Sequence, residues 1–525
     1  MTVDAAPRDT AGAAVGMGAA AAISRAIGFV RILVVAAVLG TTYLGNAFQS
    51  ANSVSNVLFE LLAAGALSAV LVPVFVELLD RGERDDAERV AGSVLGAALL
   101  VLGAVTVAGV VAAPVLARVL TAGVPEAVAD DQRALVTHLL RFFVPQVLLY
   151  AAGTVATAVL HARGRFAIAA AAPIGNTVVM VASLLVLRAL AGDAPGFQLS
   201  TVERALLVIA GTGGVAAFVG VLLAACAATG FRLRPRRPTR EPRVIEALRH
   251  SGWGTALHAG SGVLLGGALI AGAAVEGAVV AFQVAWVFFL TPYGVVAQPI
   301  HTTILPELVR EADRPATMAA SLRWALERMA LVVVPVSAGL AALAGVGMRG
   351  LAFGATGPDG ADLIAAALVA LAVGLFPYGA FLLLARGFYA VGDSRTPAVV
   401  AVVTAILGVV VMLVSARLTE GEARVAMLGA GHSLAFAVGA LWLGIGLARR
   451  LGQSLTPRAL PGVAAVAAVA GVVAWLVAGA VAGDDPARVD AIVGAVAGLG
   501  AGGALVIGAY RVLRLPSVLT PRVGV

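Results

Sequence analysis

Charge is scarce in this chain. Asp, Glu, Lys and Arg make up 12% of its 525 residues, against about a quarter in an ordinary soluble domain. That shortage excludes a water-facing globular enzyme, because the polar surface such a fold needs is missing. Lysine is absent, so all 36 basic residues are arginine. No glycine-rich loop ends in Lys-Ser/Thr, which disfavours an ATP-driven pump. Neither a His-Glu-x-x-His pair nor a nucleophile elbow occurs, and the six histidines are scattered. The lone Cys226 gives neither a disulfide framework nor a cysteine metal cluster. No enzymatic activity and no cofactor are expected.

What the chain does have is apolar sequence: it is 60% hydrophobic, with a mean hydropathy of +0.98. Its solvent is therefore mostly lipid. Membrane strands alternate polar and apolar residues over about 10 positions, whereas the runs here are continuous and more than twice that length. They fall near 14–40, 46–78, 89–120, 134–161, 167–191, 203–229, 245–273, 277–306, 318–346, 361–386, 396–416, 424–448, 461–482 and 488–513. The expectation is an all-α integral membrane protein with about fourteen spans. The longest runs must tilt, protrude or break.

The net charge of +7 and pI near 10.4 do not point to nucleic acid. The arginines lie mostly in short connections between apolar runs, and those after the second, fourth, eighth, tenth and twelfth runs carry, among others, Arg81, Arg84, Arg163, Arg165, Arg310, Arg386, Arg449 and Arg450. The opposite connections are poorer in arginine and carry acids such as Asp130, Asp359 and Asp484. By the positive-inside rule this is a multi-pass plasma-membrane protein with both termini cytoplasmic. The first run reads as a retained helix, since no convincing small-residue cleavage site follows it.

The largest hydrophilic insert, 231–250, holds Arg232, Arg234, Arg236, Arg237, Arg240, Arg243 and Arg249. It reads as a cytoplasmic linker suited to anionic lipid headgroups or, less simply, to a protein partner. The expected organisation is an N-lobe over 1–230, the linker over 231–250, a C-lobe over 251–450, and two further helices with a tail over 451–525. Two landmarks recur between the lobes. Leu71-Val72-Pro73 runs to Asp80-Arg81 as Ile304-Leu305-Pro306 runs to Asp313-Arg314, and Ala162-Arg163-Gly164 matches Ala385-Arg386-Gly387. Six spans in each unit make the repeats parallel, an arrangement that places substrate between halves that rock to give alternating access.

Ionisable and amide groups inside an apolar run need a reason to be there. Arg25 and Arg31 stand in the first run, where guanidiniums suit a phosphate or diphosphate. Their six-residue separation turns them about 120° apart on a straight helix. In the second run Gln49, Asn52, Asn56 and Glu60 follow at spacings of three, four and four, one helix face. That stripe either lines a hydrated cavity or joins helices through hydrogen bonds. His258, Glu276, Gln283, Gln298 and His301 are isolated polar groups best read as structural.

Ser24-Arg25-x-x-Gly28-Phe29-x-Arg31, Asn46-Ala47-Phe48, Glu60, Gly65, Leu71-Val72-Pro73, Ile304-Leu305-Pro306 and Ala385-Arg386-Gly387-Phe388-Tyr389 together resemble the MurJ (MviN) lipid II flippases. That family belongs to the multidrug/oligosaccharidyl-lipid/polysaccharide exporter superfamily, and the likeness, to a divergent high-GC Gram-positive type, runs from about 15 to 415. It implies a fourteen-helix fold and a flippase that carries undecaprenyl-diphosphate-linked disaccharide-pentapeptide to the outer leaflet for peptidoglycan synthesis. It also implies that Arg25 and Arg31 engage the diphosphate and that 461–482 and 488–513 form a groove for the lipid tail. Asn46, Asn52, Asn56 and Glu60 are the further expected substrate contacts, the Asn52, Asn56 and Glu60 stripe either meeting the polar headgroup or locking the lobes. Many relatives carry a charge where Ile32, Asn46, Phe59 and Val287 stand here, which leaves this cavity less cationic. The alternatives are export of another polyprenyl-linked glycan or a drug, and a non-transporting scaffold that recruits cell-wall synthesis proteins.

Overall fold

The computed structural model describes residues 10–59, 65–193, 195–238, 253, 259–352 and 354–513, with side chains from 23 onward except 25 and 65–70. Among these residues there is no β-strand, as expected where lipid leaves each backbone N–H and C=O to be satisfied within its own segment. The first half comprises α1 (Thr10–Leu39), α2 (Tyr43–Phe59), α3 (Gly65–Asp80), α4 (Arg84–Val111), α5 (Ala113–Leu120), α6 (Glu126–Phe143), α7 (Gln146–Ala162), α8 (Phe166–Ala171), α9 (Pro173–Ala191), α10 (Thr201–Val208) and α11 (Gly214–Ala228). The second comprises α12 (Ala259–Gly272), α13 (Ala278–Pro292), α14 (Gln298–Arg310), α15 (Pro315–Leu351), α16 (Gly357–Val373), α17 (Leu375–Ala390), α18 (Arg395–Ser415), α19 (Gly421–Leu451), α20 (Leu460–Ala482) and α21 (Arg488–Val512).

By length and composition, 11 helices among the described residues can cross a membrane, and α12, α17 and the Ala26–Leu39 part of α1 are shorter apolar helices. The long runs of the sequence break where their chemistry requires it. The run over 89–120 divides into α4 and α5 at Pro114, which lacks the N–H that would continue the ladder. The run over 361–386 divides at Gly374, where Ser433 packs into the space a Cβ would fill and donates its hydroxyl to the Ala370 carbonyl at 2.7 Å. Past Pro292, residues Tyr293–Ala297 form a π-turn before α14, the local adjustment that re-pairs backbone groups freed by a proline.

The chain falls into two compact units: residues 1–39, 47–121 and 125–258, and residues 40–46, 122–124 and 259–525. In the first, α7 is central and packs on α3, α4 and α11, while α9 packs on α1 and α11. Its core gathers Leu71, Phe75, Leu95, Val159, Leu160, Leu222 and Phe231. In the second, α19 is packed by α16, α17 and α18, and the long α15 carries α20 and α21. The last two helices meet through Gly494, Gly498 and Gly502, each set against the carbonyls or methyls of Ala470, Ala474, Ala478 and Ala482. In lipid, where apolar surface gives no driving force between helices, small residues four apart let backbones approach to van der Waals contact.

Residues 40–46 belong to the second unit. Thr41 Oγ1 donates to the Thr356 carbonyl at 3.0 Å, and the Tyr43 hydroxyl to that of Ala274 at 3.3 Å. The expected linker also differs from expectation at its start. Residues 231–238 lie against the first unit, held by a backbone hydrogen bond from Arg236 to Gly92 and by burial of Phe231 in the core. Residues 239–250 lie outside the described residues.

Candidate functional site

Arg31 stands in the apolar Ala26–Leu39 part of α1, three residues past Gly28. Its side chain is half-buried, and its Nε is buried with no hydrogen-bond partner among the described residues. Its electrostatic neighbour in the first unit is Tyr150 on α7. The Tyr150 hydroxyl donates to Asn56 Oδ1 on α2 at 2.8 Å, and its ring lies 5.2 Å from that of Phe59. One guanidinium, one phenol and one amide thus converge from three helices. A buried guanidinium needs acceptors, and a diphosphate supplies planar oxygen pairs that a guanidinium binds bidentately. Arg25 belongs to α1, but its side chain is outside the described set, as is all of Glu60.

Along α2 the polar stripe divides. Phe48, Ala51 and Ser55 form the face packed on the first unit: the Phe48 ring meets Phe143 edge-on at 5.7 Å, and Ser55 Oγ donates to the Phe143 carbonyl at 2.5 Å. Asn52 is left half-buried and Asn56 exposed, whereas Gln49 is buried. Asn46 stands apart from any substrate-facing surface. It is 0% exposed, its Nδ2 donates to the Val275 carbonyl at 2.8 Å, and its Oδ1 accepts from the Val279 N–H at 3.0 Å. Its amide ties the start of α2 to the turn before α13, so a direct contact between Asn46 and the headgroup does not fit this geometry.

Sequence reasoning missed Tyr150. The only available signal was a phenol at a helical position within the otherwise apolar fourth run. It also read His301 as isolated, whereas the structure gives it company in the second unit. The Tyr293 hydroxyl and His301 Nδ1 are 3.2 Å apart, the Arg386 guanidinium lies against Tyr293, and Arg386 Nη1 donates to the Leu382 carbonyl at 3.3 Å. Nearby, His432 is boxed by Trp286, Phe289 and Phe436, with ring centroids 4.7, 5.4 and 4.7 Å away. The Tyr378 ring joins this box to the π-turn, 6.1 Å from the His432 ring and 4.9 Å from that of Tyr293. His258 lies outside the described residues, and Glu276 is exposed in the turn before α13. The matched Arg-Gly landmarks have diverged. Gly164 ends a helix at φ +70°, while Gly387 is interior to α17 and gives its space to Leu447.

The family model described as Lipid II flippase MurJ matches residues 35–484. A probable lipid II flippase MurJ of Haemophilus influenzae is 25% identical over 409 residues, covering 73% of this chain and 76% of that protein. A lipid II flippase MurJ of Burkholderia cenocepacia is 26% identical over 399 residues, covering 72% and 73%. Among solved structures, a lipid II flippase MurJ in an inward closed conformation superposes with a TM-score of 0.70 at 16% identity, covering 95% of this chain and 99% of that one. An inward-facing multidrug resistance MATE transporter superposes with a TM-score of 0.63 at 14% identity, covering 81% and 94%.

Proposed function

The chain belongs to the lipid II flippase MurJ family, and we propose that it moves lipid II across the plasma membrane with Arg31 holding the diphosphate. The observation that carries this reading is the Arg31 guanidinium, set inside an apolar helix with its Nε buried and unpartnered among the described residues. Such a group is retained against a penalty of a few kcal/mol even on the lenient insertion scale, and a diphosphate oxygen relieves it. Tyr150 and Asn56 extend the same surface with a hydroxyl and an amide, donors and acceptors suited to the sugar and peptide that follow the diphosphate. Asn52, one turn before Asn56, adds a second amide. Arg25 and Glu60 complete the set by sequence position alone.

In this reading the α1–α2–α7 cluster is presented to one leaflet and then the other, and α20 and α21 guide the polyprenyl tail. The termini are cytoplasmic, following the arginine bias of the connections. Each elementary charge crossing 100 mV is worth about 2.3 kcal/mol, so the membrane potential acts on a diphosphate in transit. The test is export in cells depleted of their own lipid II flippase, comparing the wild type with Arg31→Ala at matched membrane levels. Retained export in the variant removes Arg31 from the site; lost export with intact insertion supports it.

A further inference from the structure

The arginine-rich segment after α11 is more ordered than a tether, and we infer that residues 231–237 form a docked strap that binds anionic lipid headgroups at the edge of the membrane. Over 231–234 its path alternates with the period of an extended chain, and Pro235 to Arg237 that follow are exposed. Phe231 is 1% exposed in the core and Leu233 packs beside it, while Arg232, Arg234, Arg236 and Arg237 are exposed. The strap is fixed along its length. Arg163 Nη1 donates to the Thr229 carbonyl at 2.8 Å, and its guanidinium lies 5.7 Å from the Phe231 ring centroid. Arg84 Nη2 donates to the Gly230 carbonyl. The Arg232 N–H donates to Glu88 Oε1 at 2.9 Å, and the Arg236 N–H to the Gly92 carbonyl at 2.9 Å.

Glu88, Gly92 and Gly96 stand four apart on one face of α4 and form the groove that takes the strap. A Cβ at Gly92 would overlap the Arg234 carbonyl oxygen, and a Cβ at Gly96 that of Arg236. These glycines are therefore required by close approach of backbone to backbone.

The depth of the strap follows from the exposed apolar residues of α4 and α5. Leu100, Val101, Val107, Val111, Val115 and Val119 are exposed. On α4 alone this band, Leu100 to Val111 at 1.5 Å per residue, spans roughly 17 Å, and Val115 and Val119 continue the apolar surface on α5 past the break. Gly96 lies about 6 Å outside the band by the same rise, the level of lipid phosphates. The guanidiniums of Arg232, Arg234, Arg236 and Arg237 form no ion pair among the described residues, whereas Asp86 pairs with Arg89 and Glu88 with Arg84. Four unpaired guanidiniums at phosphate depth, on a backbone that cannot swing away, make a preorganised site for headgroup anions.

The test is the full chain in nanodiscs of phosphatidylcholine with one part in three phosphatidylglycerol, with retained lipid counted by native mass spectrometry and amide exchange read at Arg236. The wild type should retain phosphatidylglycerol and protect the Arg236 amide. The variant with Arg232, Arg234, Arg236 and Arg237 all changed to Gln should lose retention about a thousandfold while keeping that protection, four cations at about 1 kcal/mol each near an anionic surface. Gly96→Val keeps every arginine but displaces the strap, and should lose both. Gly92→Ala, a smaller intrusion, serves if Gly96→Val does not fold. Undiminished retention in the quadruple variant overturns the site. Undiminished retention in a glycine variant whose Arg236 amide has become exchangeable also overturns it, because the arginines then act as a free tail. Retention of an acidic peptide in place of phosphatidylglycerol would transfer the surface to a protein partner.

Discussion

Asn46→Asp introduces a charge at the start of α2, and the structure predicts that it harms the protein. The Asn46 side chain is fully buried, donating to the Val275 carbonyl at 2.8 Å and accepting from the Val279 N–H at 3.0 Å. Aspartate keeps the acceptor but sets a carboxylate oxygen against a carbonyl oxygen. The orphaned carbonyl alone costs about 1–3 kcal/mol, and an unpaired buried charge adds several more. Asn46→Leu removes both bonds without adding charge, orphaning one donor and one acceptor at about 2–6 kcal/mol in total. Thermal unfolding of the purified protein should therefore rank wild type above Asn46→Leu and Asn46→Leu at or above Asn46→Asp. Both variants should lose export through lost folded protein, without a selective loss of substrate binding. If Asn46→Asp is as stable as the wild type and exports more lipid II, Asn46 is a cavity residue and the hydrogen-bond reasoning is wrong.

Tyr150→Phe removes the hydroxyl bonded to Asn56 and keeps the tilted ring contact with Phe59. Export measured at matched expression should fall several-fold with stability lowered by about 1 kcal/mol, and unchanged export would confine Tyr150 to a packing role. Gly498→Val thrusts side-chain atoms at the Ala474 carbonyl, so α20 and α21 should separate, seen as faster proteolysis of the C-terminal helices and reduced export. At Asp393, in the turn before α18, burial raises the carboxyl pKa, but hydrogen bonds from the Thr396 backbone and hydroxyl, with the Arg450 guanidinium, outweigh it and hold the group below the ordinary carboxylate range. A depressed pKa stabilises the fold at higher pH, and that contribution is lost as pH falls below about 4. Asp393→Asn should thus lower stability by about 0.2–1 kcal/mol at pH 7, with the gap to the wild type closing in acid.

The helical membrane fold was legible because lipid imposes one rule on the whole chain, and continuous apolar runs can satisfy it only as helices. The breaks were less legible. Pro114 announces one, but the break at Gly374 depends on Ser433, nearly sixty residues later, and no local pattern carries that information. Within the candidate site, Arg31 was visible as a charge in an apolar run. Asn46 was visible too, yet its role was not, since a buried amide closing a turn and an amide facing substrate have the same spacing. Tyr150 was missed because a phenol is amphipathic and ordinary in a membrane helix. Its meaning comes from the side chains of α1 and α2 that the fold sets beside it. The strap over 231–237 read as a linker because its arginines dominate its composition, while its anchors, Phe231 and the glycines of α4, lie far apart in sequence.

The central claim rests on Arg31 as the residue that holds the diphosphate, and the most direct measurement is surface-exposed lipid II in cells depleted of their own flippase. Wild-type protein should restore it, and Arg31→Ala, with membrane insertion verified, should not. Arg31→Lys should recover only part, since an ammonium keeps the charge but lacks the bidentate fork. Full export by Arg31→Ala, at the same membrane level as the wild type, would contradict the account.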